Sequence, residues 1–176
     1  MRAFPILMAA ALLASCTTAS APPATSQESY YVRDGMVEVI DPAANAIWNI
    51  QVDAMDDYGN LDPAKMDGAH WSAIEDAARK LDAEAHRTAN AGSYIVADPA
   101  STRPPPPEGT DMAAIQARLT ANEAGYRSFG RALALHTGKM VEAARARDAQ
   151  SMTRLANDLQ PMCKSCHDVF WYPEPL

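Results

Sequence analysis

The stretch DMAAIQARLTANEAGYRSFGRALALHTGKM (residues 111–140) carries the longest helical pattern in the chain. Core-facing positions follow one another in steps of three or four residues, as the buried face of a helix requires. These positions are Met112, Ile115, Leu119, Asn122, Tyr126, Phe129, Leu133, His136 and Met140. Thr110 or Asp111 can cap the first turn. The pattern predicts one long, continuous helix.

Three further helices are predicted. Asp41-Pro42 is typical of a helix start, with a capping residue followed by proline, and this helix runs to about Asp57. A second helix becomes regular near Asp67, and the last begins near Asp148. The apolar positions of the second are Trp71, Ile74, Ala78, Leu81, Ala85 and Thr88, and those of the last are Met152, Leu155, Leu159, Met162, Cys166 and Val169.

The connections between these helices differ in kind. Residues 98–109 contain four consecutive prolines, Pro104–Pro107, which form a stiff extended crossover. The links between the first and second helices and between the third and fourth are short, and short links join antiparallel neighbours. Residues 30–40 are expected to be an extended segment outside any sheet. We therefore expect an all-α, antiparallel four-helix bundle with one long crossover, formed by residues 30–176.

The N-terminus predicts an exported lipoprotein. A positive charge at Arg2 precedes an apolar run of signal-peptide length, and the run ends in Leu13-Ala14-Ser15-Cys16. This ending resembles the bacterial lipobox, which implies a signal peptide over residues 1–15 and acylation of Cys16. An ordinary secretory signal is the alternative. Residues 17–29 (TTASAPPATSQES) complete a flexible tether that begins at Cys16. Thr17 after the cysteine favours the outer membrane over the inner one.

Composition excludes two classes of protein. The 176 residues carry a formal net charge of −7, whereas nucleic-acid binders need clustered Lys and Arg. No apolar run is long enough to span a bilayer, so the lipid anchor is the expected membrane attachment. The predicted location is the periplasmic side of a Gram-negative membrane.

The motif Cys163-Lys164-Ser165-Cys166-His167 is the attachment pattern of c-type haem. On a helix, residues three and four apart share one face, so both thiols can bond the porphyrin while the imidazole of His167 reaches the iron. With Cys16 acylated, this reading accounts for all three cysteines. A thioredoxin-type dithiol normally accompanies a βαβ pattern, and a structural zinc site needs a second ligand pair. Neither is present in the sequence, so one covalent haem c is the predicted cofactor.

The chain resembles the class II c-type cytochromes, the cytochrome c′ and c-556-like family. Residues 163–170 (CKSCHDVF), their position near the C-terminus and the four predicted helices carry the resemblance, which covers residues 41–172. It implies a four-helix bundle with haem on the C-terminal helix. In place of the basic residue that often follows the motif in this family, the chain has Phe170-Trp171-Tyr172-Pro173. Pro161 just before the motif predicts a kink or a helix restart.

The resemblance further implies that the first helix faces the sixth position of the iron. Trp48 is expected to cover the porphyrin and Val52 to cap the iron, with Met55 as the candidate sixth ligand; Met55 as ordinary core packing is the alternative. His136 is expected to be a hydrogen-bonded core residue or a propionate partner.

The function expected from these features is electron transfer by Fe(II)/Fe(III) cycling, without enzymatic activity, toward a basic periplasmic redox partner. The alternative is a five-coordinate haem that binds small gases such as nitric oxide. A peroxidase would need acid–base groups on the distal side of the haem, and the first predicted helix has no histidine or arginine there. The remaining alternative is a lipoprotein without haem. Homodimers occur in the family, and the sequence does not decide whether this chain forms one.

Overall fold

The computed structural model describes residues 28–172. The predicted signal peptide, Cys16 and the tether up to residue 27 lie outside this range, as do residues 173–176. The elements in chain order are β1 (Ser29–Tyr31), α1 (Val32–Gly35), a π-helical segment (Met36–Ile40), α2 (Asp41–Asp53), α3 (Gly68–Asn90), β2 (Ser93–Ile95), α4 (Met112–Ala121), α5 (Glu123–Ala146) and α6 (Ala149–Phe170). The chain is mostly helical with very little strand, as an all-α protein is.

The first helix begins well before the predicted start. The α1, π-helical and α2 segments run on without interruption, and Ile40 itself has helical dihedral angles, so Asp41 is not a capping residue. Pro42 lacks an amide hydrogen and its ring clashes with the carbonyl four residues earlier in a regular helix. The wider π turn just before it, in which the Asp41 N–H donates to the Met36 carbonyl, accommodates the proline. The prediction that residues 32–40 are extended was wrong.

A small parallel sheet was also missed. Strand β1 pairs with β2, with Tyr30 opposite Tyr94, and the hydroxyl groups of Ser29 and Ser93 are 2.8 Å apart. The Gly92 N–H donates to the Glu28 carbonyl at the edge of this pair. The last residues of the predicted tether therefore belong to the folded domain.

The predicted third helix is divided in two. Asn122, with φ −141° and ψ 50°, separates α4 from α5, and its side-chain oxygen accepts a hydrogen bond of 3.0 Å from the Gly125 N–H. Asparagine competes for backbone hydrogen bonds in this way and favours helix starts over helix interiors. Asn122 is exposed at this break and does not belong to the buried face.

The second and fourth helices begin where the sequence predicts, although Val169, predicted on the apolar face of the fourth, is 43% exposed. Asp67 caps α3 through the His70 N–H, and Asp148 caps α6 through the Ser151 N–H. Every predicted apolar position of α3 is buried. The helix does not restart at Pro161, because α6 continues through this residue to Phe170.

The core lies between the long helices. Helix α3 packs most extensively against α5, α2 packs against α3, and α6 packs against α5. Two buried clusters result, one containing Leu81, Met140 and Leu159, and the other containing Tyr94 and Phe170. Among residues 28–172, no helix is both long enough and apolar enough to cross a bilayer.

Candidate functional site

An apolar cavity of about 260 Å³ lies at the junction of the two core clusters. The continuous helix made of α1, the π-helical segment and α2 (residues 32–53) is here called the first helical rod. Residues from this rod and from α3, α5 and α6 line the cavity, so four separate helices contribute to its walls. Cys163 packs against one cluster and Cys166 against the other. The motif residues thus lie where the two halves of the core meet.

The α6 wall of the cavity contains all three functional residues of the motif. Cys163, Cys166 and His167 line the cavity and are each partly buried. Lys164 instead pairs with Asp168 on the exposed side of the helix. The structure therefore presents two thiols and one imidazole to a common apolar space.

The two thiols are held in their protonated form. Burial raises the pKa of Cys163, and burial followed by the proximity of Cys163 raises the pKa of Cys166 to about 12. Dithiol oxidoreductases instead lower the pKa of the attacking cysteine to generate a thiolate. The electrostatics of this pair do not favour the thioredoxin-type alternative.

His167 is positioned at the C-terminal end of α6. Burial lowers the pKa of its imidazole, although Asp168 and Asp41 act in the opposite direction. The neutral imidazole that results is the form that binds metal ions. The backbone N–H groups of Trp171 and Tyr172 both donate to the His167 carbonyl, at 2.8 and 2.7 Å, which fixes the final turn beneath the imidazole.

The first helical rod contributes a regular row of side chains to the cavity. Met36, Ile40, Ala44 and Trp48 all line the cavity and are spaced four residues apart, so they share one helical face. Trp48 lines the cavity, and its contact with a porphyrin stays a prediction. Its indole Nε1–H donates to the Ala156 carbonyl of α6, 3.1 Å away.

Val52 and Met55 do not reach the cavity. Val52 is 64% exposed near the end of α2, and Met55 is 39% exposed in the turn beyond it, where its backbone bridges to Leu61. Helix α2 ends at Asp53, earlier than predicted, and the cavity-facing row ends at Trp48. If a haem is held in this cavity, Val52 does not cap its iron and Met55 is not its ligand.

Met36 is the methionine of the first helical rod that does line the cavity, and the sequence analysis missed it. The helix start had been assigned to Asp41, which left Met36 in a supposed extended segment. The spacing of Met36, Ile40, Ala44 and Trp48 was the signal that could have found it. The cavity is therefore lined by both a methionine and a histidine, the pair of side chains that binds haem iron in cytochromes c.

His136 has a different role. It is 9% exposed, and its Nε2–H donates to the Leu155 carbonyl at 2.9 Å. It does not line the cavity. This side chain joins α5 to α6 as a hydrogen-bonded core residue.

The donor set fits a porphyrin iron better than a metal bound by protein alone. In residues 28–172, no group of three or more His, Cys, Asp or Glu side chains lies close enough together to hold a metal ion. A porphyrin supplies four nitrogen ligands itself, so its iron would need only one or two further ligands from the protein. The aromatic and aliphatic lining of the cavity suits the ring.

No protein-family model, curated protein or solved structure matches this chain.

Proposed function

We propose that the protein is a membrane-tethered, mono-haem c-type cytochrome that carries electrons. The observation that carries this proposal is that Cys163, Cys166 and His167 of α6 and Met36 of the first helical rod all line one apolar cavity. The helices around it would form the antiparallel four-helix bundle of the cytochrome c′ and c-556-like family, with one long crossover and haem on the C-terminal helix.

Each residue has a defined role in this proposal. Cys163 and Cys166 would hold the cofactor through thioether bonds, and His167 and Met36 would bind its iron. Methionine and histidine ligands together would raise the reduction potential of that iron. When bound, the haem supplies one-electron Fe(II)/Fe(III) exchange.

The surroundings of the site support transfer of electrons over catalysis. Trp48, Ile40 and Phe129 provide apolar surface that keeps water away from the bound group. The acylated Cys16 would tether the domain to the periplasmic face of a Gram-negative membrane, with the outer membrane favoured. The net charge of −7 suits a basic redox partner.

Gas binding is the second candidate function. Ile40 is 5% exposed and lies one turn after Met36 on the same face. If Ile40 rather than Met36 faces the iron, the haem is five-coordinate and takes up nitric oxide. The identity of the residue opposite His167 therefore decides between the two functions.

The test is spectroscopy of the full chain exported with the haem-attachment machinery. We expect a haem adduct on the C-terminal peptide by mass spectrometry, and a low-spin spectrum that nitric oxide changes little. The double variant Cys163→Ala with Cys166→Ala should lack the haem adduct. Absence of the adduct from the wild-type protein would refute the proposal.

Met36→Ala and Met55→Ala form a matched pair for the sixth ligand. We expect Met36→Ala to convert the iron to high spin and to admit nitric oxide, while Met55→Ala leaves the spectrum unchanged. A wild-type protein that is already high-spin, with both variants unchanged, would favour gas binding.

A further inference from the structure

We propose that residues 96–104, here called the strap, are a positioning element that holds Met36 at the haem cavity, with Asp34 and Arg103 as its main attachment. This inference rests on the proposed function, because it concerns how the sixth ligand is kept in place. The strap overlaps the first part of the predicted crossover, residues 98–109, which was expected only to connect two helices.

Asp34 binds the strap at three points. Its Oδ2 accepts from the Asp98 N–H at 2.9 Å, and its Oδ1 accepts from the Ser101 hydroxyl at 3.2 Å and from Arg103 Nε at 3.0 Å. Asp34 lies two residues before Met36 in the same helical rod. The backbone that carries Met36 is thus fixed to the strap just ahead of it.

Attachments also lie on both sides of Met36. Arg103 forms an ion pair with Glu38 as well as with Asp34, and these two acids are one helical turn apart with Met36 between them. Arg33 donates from its backbone N–H to the Val96 carbonyl at 2.9 Å and from Nη2 to the Pro104 carbonyl at 2.7 Å. Three residues within three positions of Met36 are therefore bonded to the strap.

The opposite side of the rod is also fixed. Gly35 lies so close to α3 and β1 that a Cβ there would be 2.0 Å from the Tyr30 hydroxyl and 2.6 Å from Glu84 Oε1. Tyr30 and Glu84 are each 3% exposed. The segment next to Met36 is thus confined between this buried pair and the strap.

The physical need for such support comes from the π turn. A π-helical turn is rare because it is less favourable than a regular helix, and it persists where surrounding contacts hold it. Proline restricts the free strap, so docking it costs less conformational entropy than docking a flexible loop. The strap can therefore stabilise the Met36 turn at small cost.

The test compares Asp34→Ala with Glu75→Ala in the exported full chain. Glu75 is a matched control, since it also accepts hydrogen bonds from arginine, here Arg79 and Arg145, but it joins α3 to α5 away from the cavity. Imidazole is the probe, because it binds the ferric iron where the methionine has left. Arg103→Gln is a second variant in case Asp34→Ala folds poorly.

We expect Asp34→Ala and Arg103→Gln to bind imidazole roughly tenfold more tightly than the wild type, as loss of hydrogen bonds to a charged group predicts. Glu75→Ala should behave like the wild type. Amide hydrogen exchange of residues 33–40 should accelerate in the strap variants alone.

Two unfavourable outcomes are distinguishable. A haem adduct with unchanged imidazole affinity and unchanged exchange in both strap variants would overturn the strap while leaving the proposed function intact. Absence of the adduct from every protein would overturn the proposed function, and the positioning role with it.

Discussion

The indole Nε1–H of Trp48 donates a hydrogen bond to the carbonyl oxygen of Ala156, so one side chain both lines the cavity and joins the first helical rod to α6. One turn further along, Gln51 Nε2 donates to Asn157 Oδ1 at 2.7 Å. These two bonds set the distance between the wall that contains Met36 and the helix that contains the haem motif.

Trp48→Phe should therefore destabilise the fold. The variant loses the hydrogen bond and some apolar contact, and we expect a decrease of about 1–3 kcal/mol in the free energy of unfolding. Chemical denaturation measures it, with Tyr58→Phe as the control because Tyr58 is 90% exposed. Equal stability of the two variants would contradict a joining role for Trp48.

Gly35→Ala should be destabilising for a steric reason. The new methyl group would overlap the hydroxyl of Tyr30, and such overpacking typically costs about 1–3 kcal/mol. Tyr30→Phe removes that hydroxyl, so the double variant should recover part of the loss in a double-mutant cycle. Gly68→Ala is the control, since nothing lies within 4 Å of the added atom. If Gly35→Ala is as stable as Gly68→Ala, the close packing around Gly35 is not as described.

Asn122→Ala tests the break between α4 and α5. Loss of the cap on the Gly125 N–H should reduce the free energy of unfolding by about 1 kcal/mol, whereas Asn122→Asp keeps an acceptor and should cost much less. Thermal unfolding of the two variants provides the comparison. A stabilising effect of alanine would mean that a continuous helix is preferred at this position.

This break shows what sequence spacing cannot decide. The steps of three and four through Asn122 fit a continuous helix, and periodicity alone does not register a side chain that caps the next segment. The positions of Cys163, Cys166 and His167 on one helix were predictable, because their spacing depends only on local helical geometry.

Met36 was harder to predict, because its helix depends on distant contacts. The chain before it pairs with residues 93–95, as in the bond between Ser29 and Ser93, which are 64 positions apart. The strap adds the bond from Arg33 to Pro104, across 71 positions. Local signals pointed to Asp41-Pro42 as a helix start, and only these contacts extend the helix past it.

The attachment of Asp34 to the strap should make the free energy of unfolding depend on pH. Burial by itself raises the pKa of Asp34, but hydrogen bonds from the Asp98 N–H, Arg103 and Ser101 outweigh it and hold the pKa below its usual value. A depressed folded-state pKa means that the stabilisation is present above the unfolded-state pKa, about 4, and is lost as the pH falls through the folded-state value.

Asp34→Asn is therefore expected to be less stable than the wild type at pH 7, with the difference shrinking below about pH 4. Urea denaturation at pH 7 and pH 3 measures both differences. A difference that does not change with pH would show that the Asp34 charge contributes nothing to the attachment.

The cavity itself predicts how stability and haem attachment are linked. A covalent group bound in this cavity would bury its apolar lining, and buried apolar surface stabilises a folded protein by about 25 cal/mol per Å². We therefore expect the bound group to stabilise the exported protein by a few kcal/mol. The comparison is between the wild type and Cys163→Ala with Cys166→Ala, by chemical denaturation and by binding of a hydrophobic dye. We expect the variant without haem to unfold at a lower denaturant concentration and to bind more dye. Cys16→Ala is the control, because it removes the predicted lipid attachment and leaves the cavity unchanged. Exported Cys16→Ala should match the detergent-extracted wild type in both measurements. Equal stability with and without the covalent group would mean that the space between Met36 and His167 is not where that group is held.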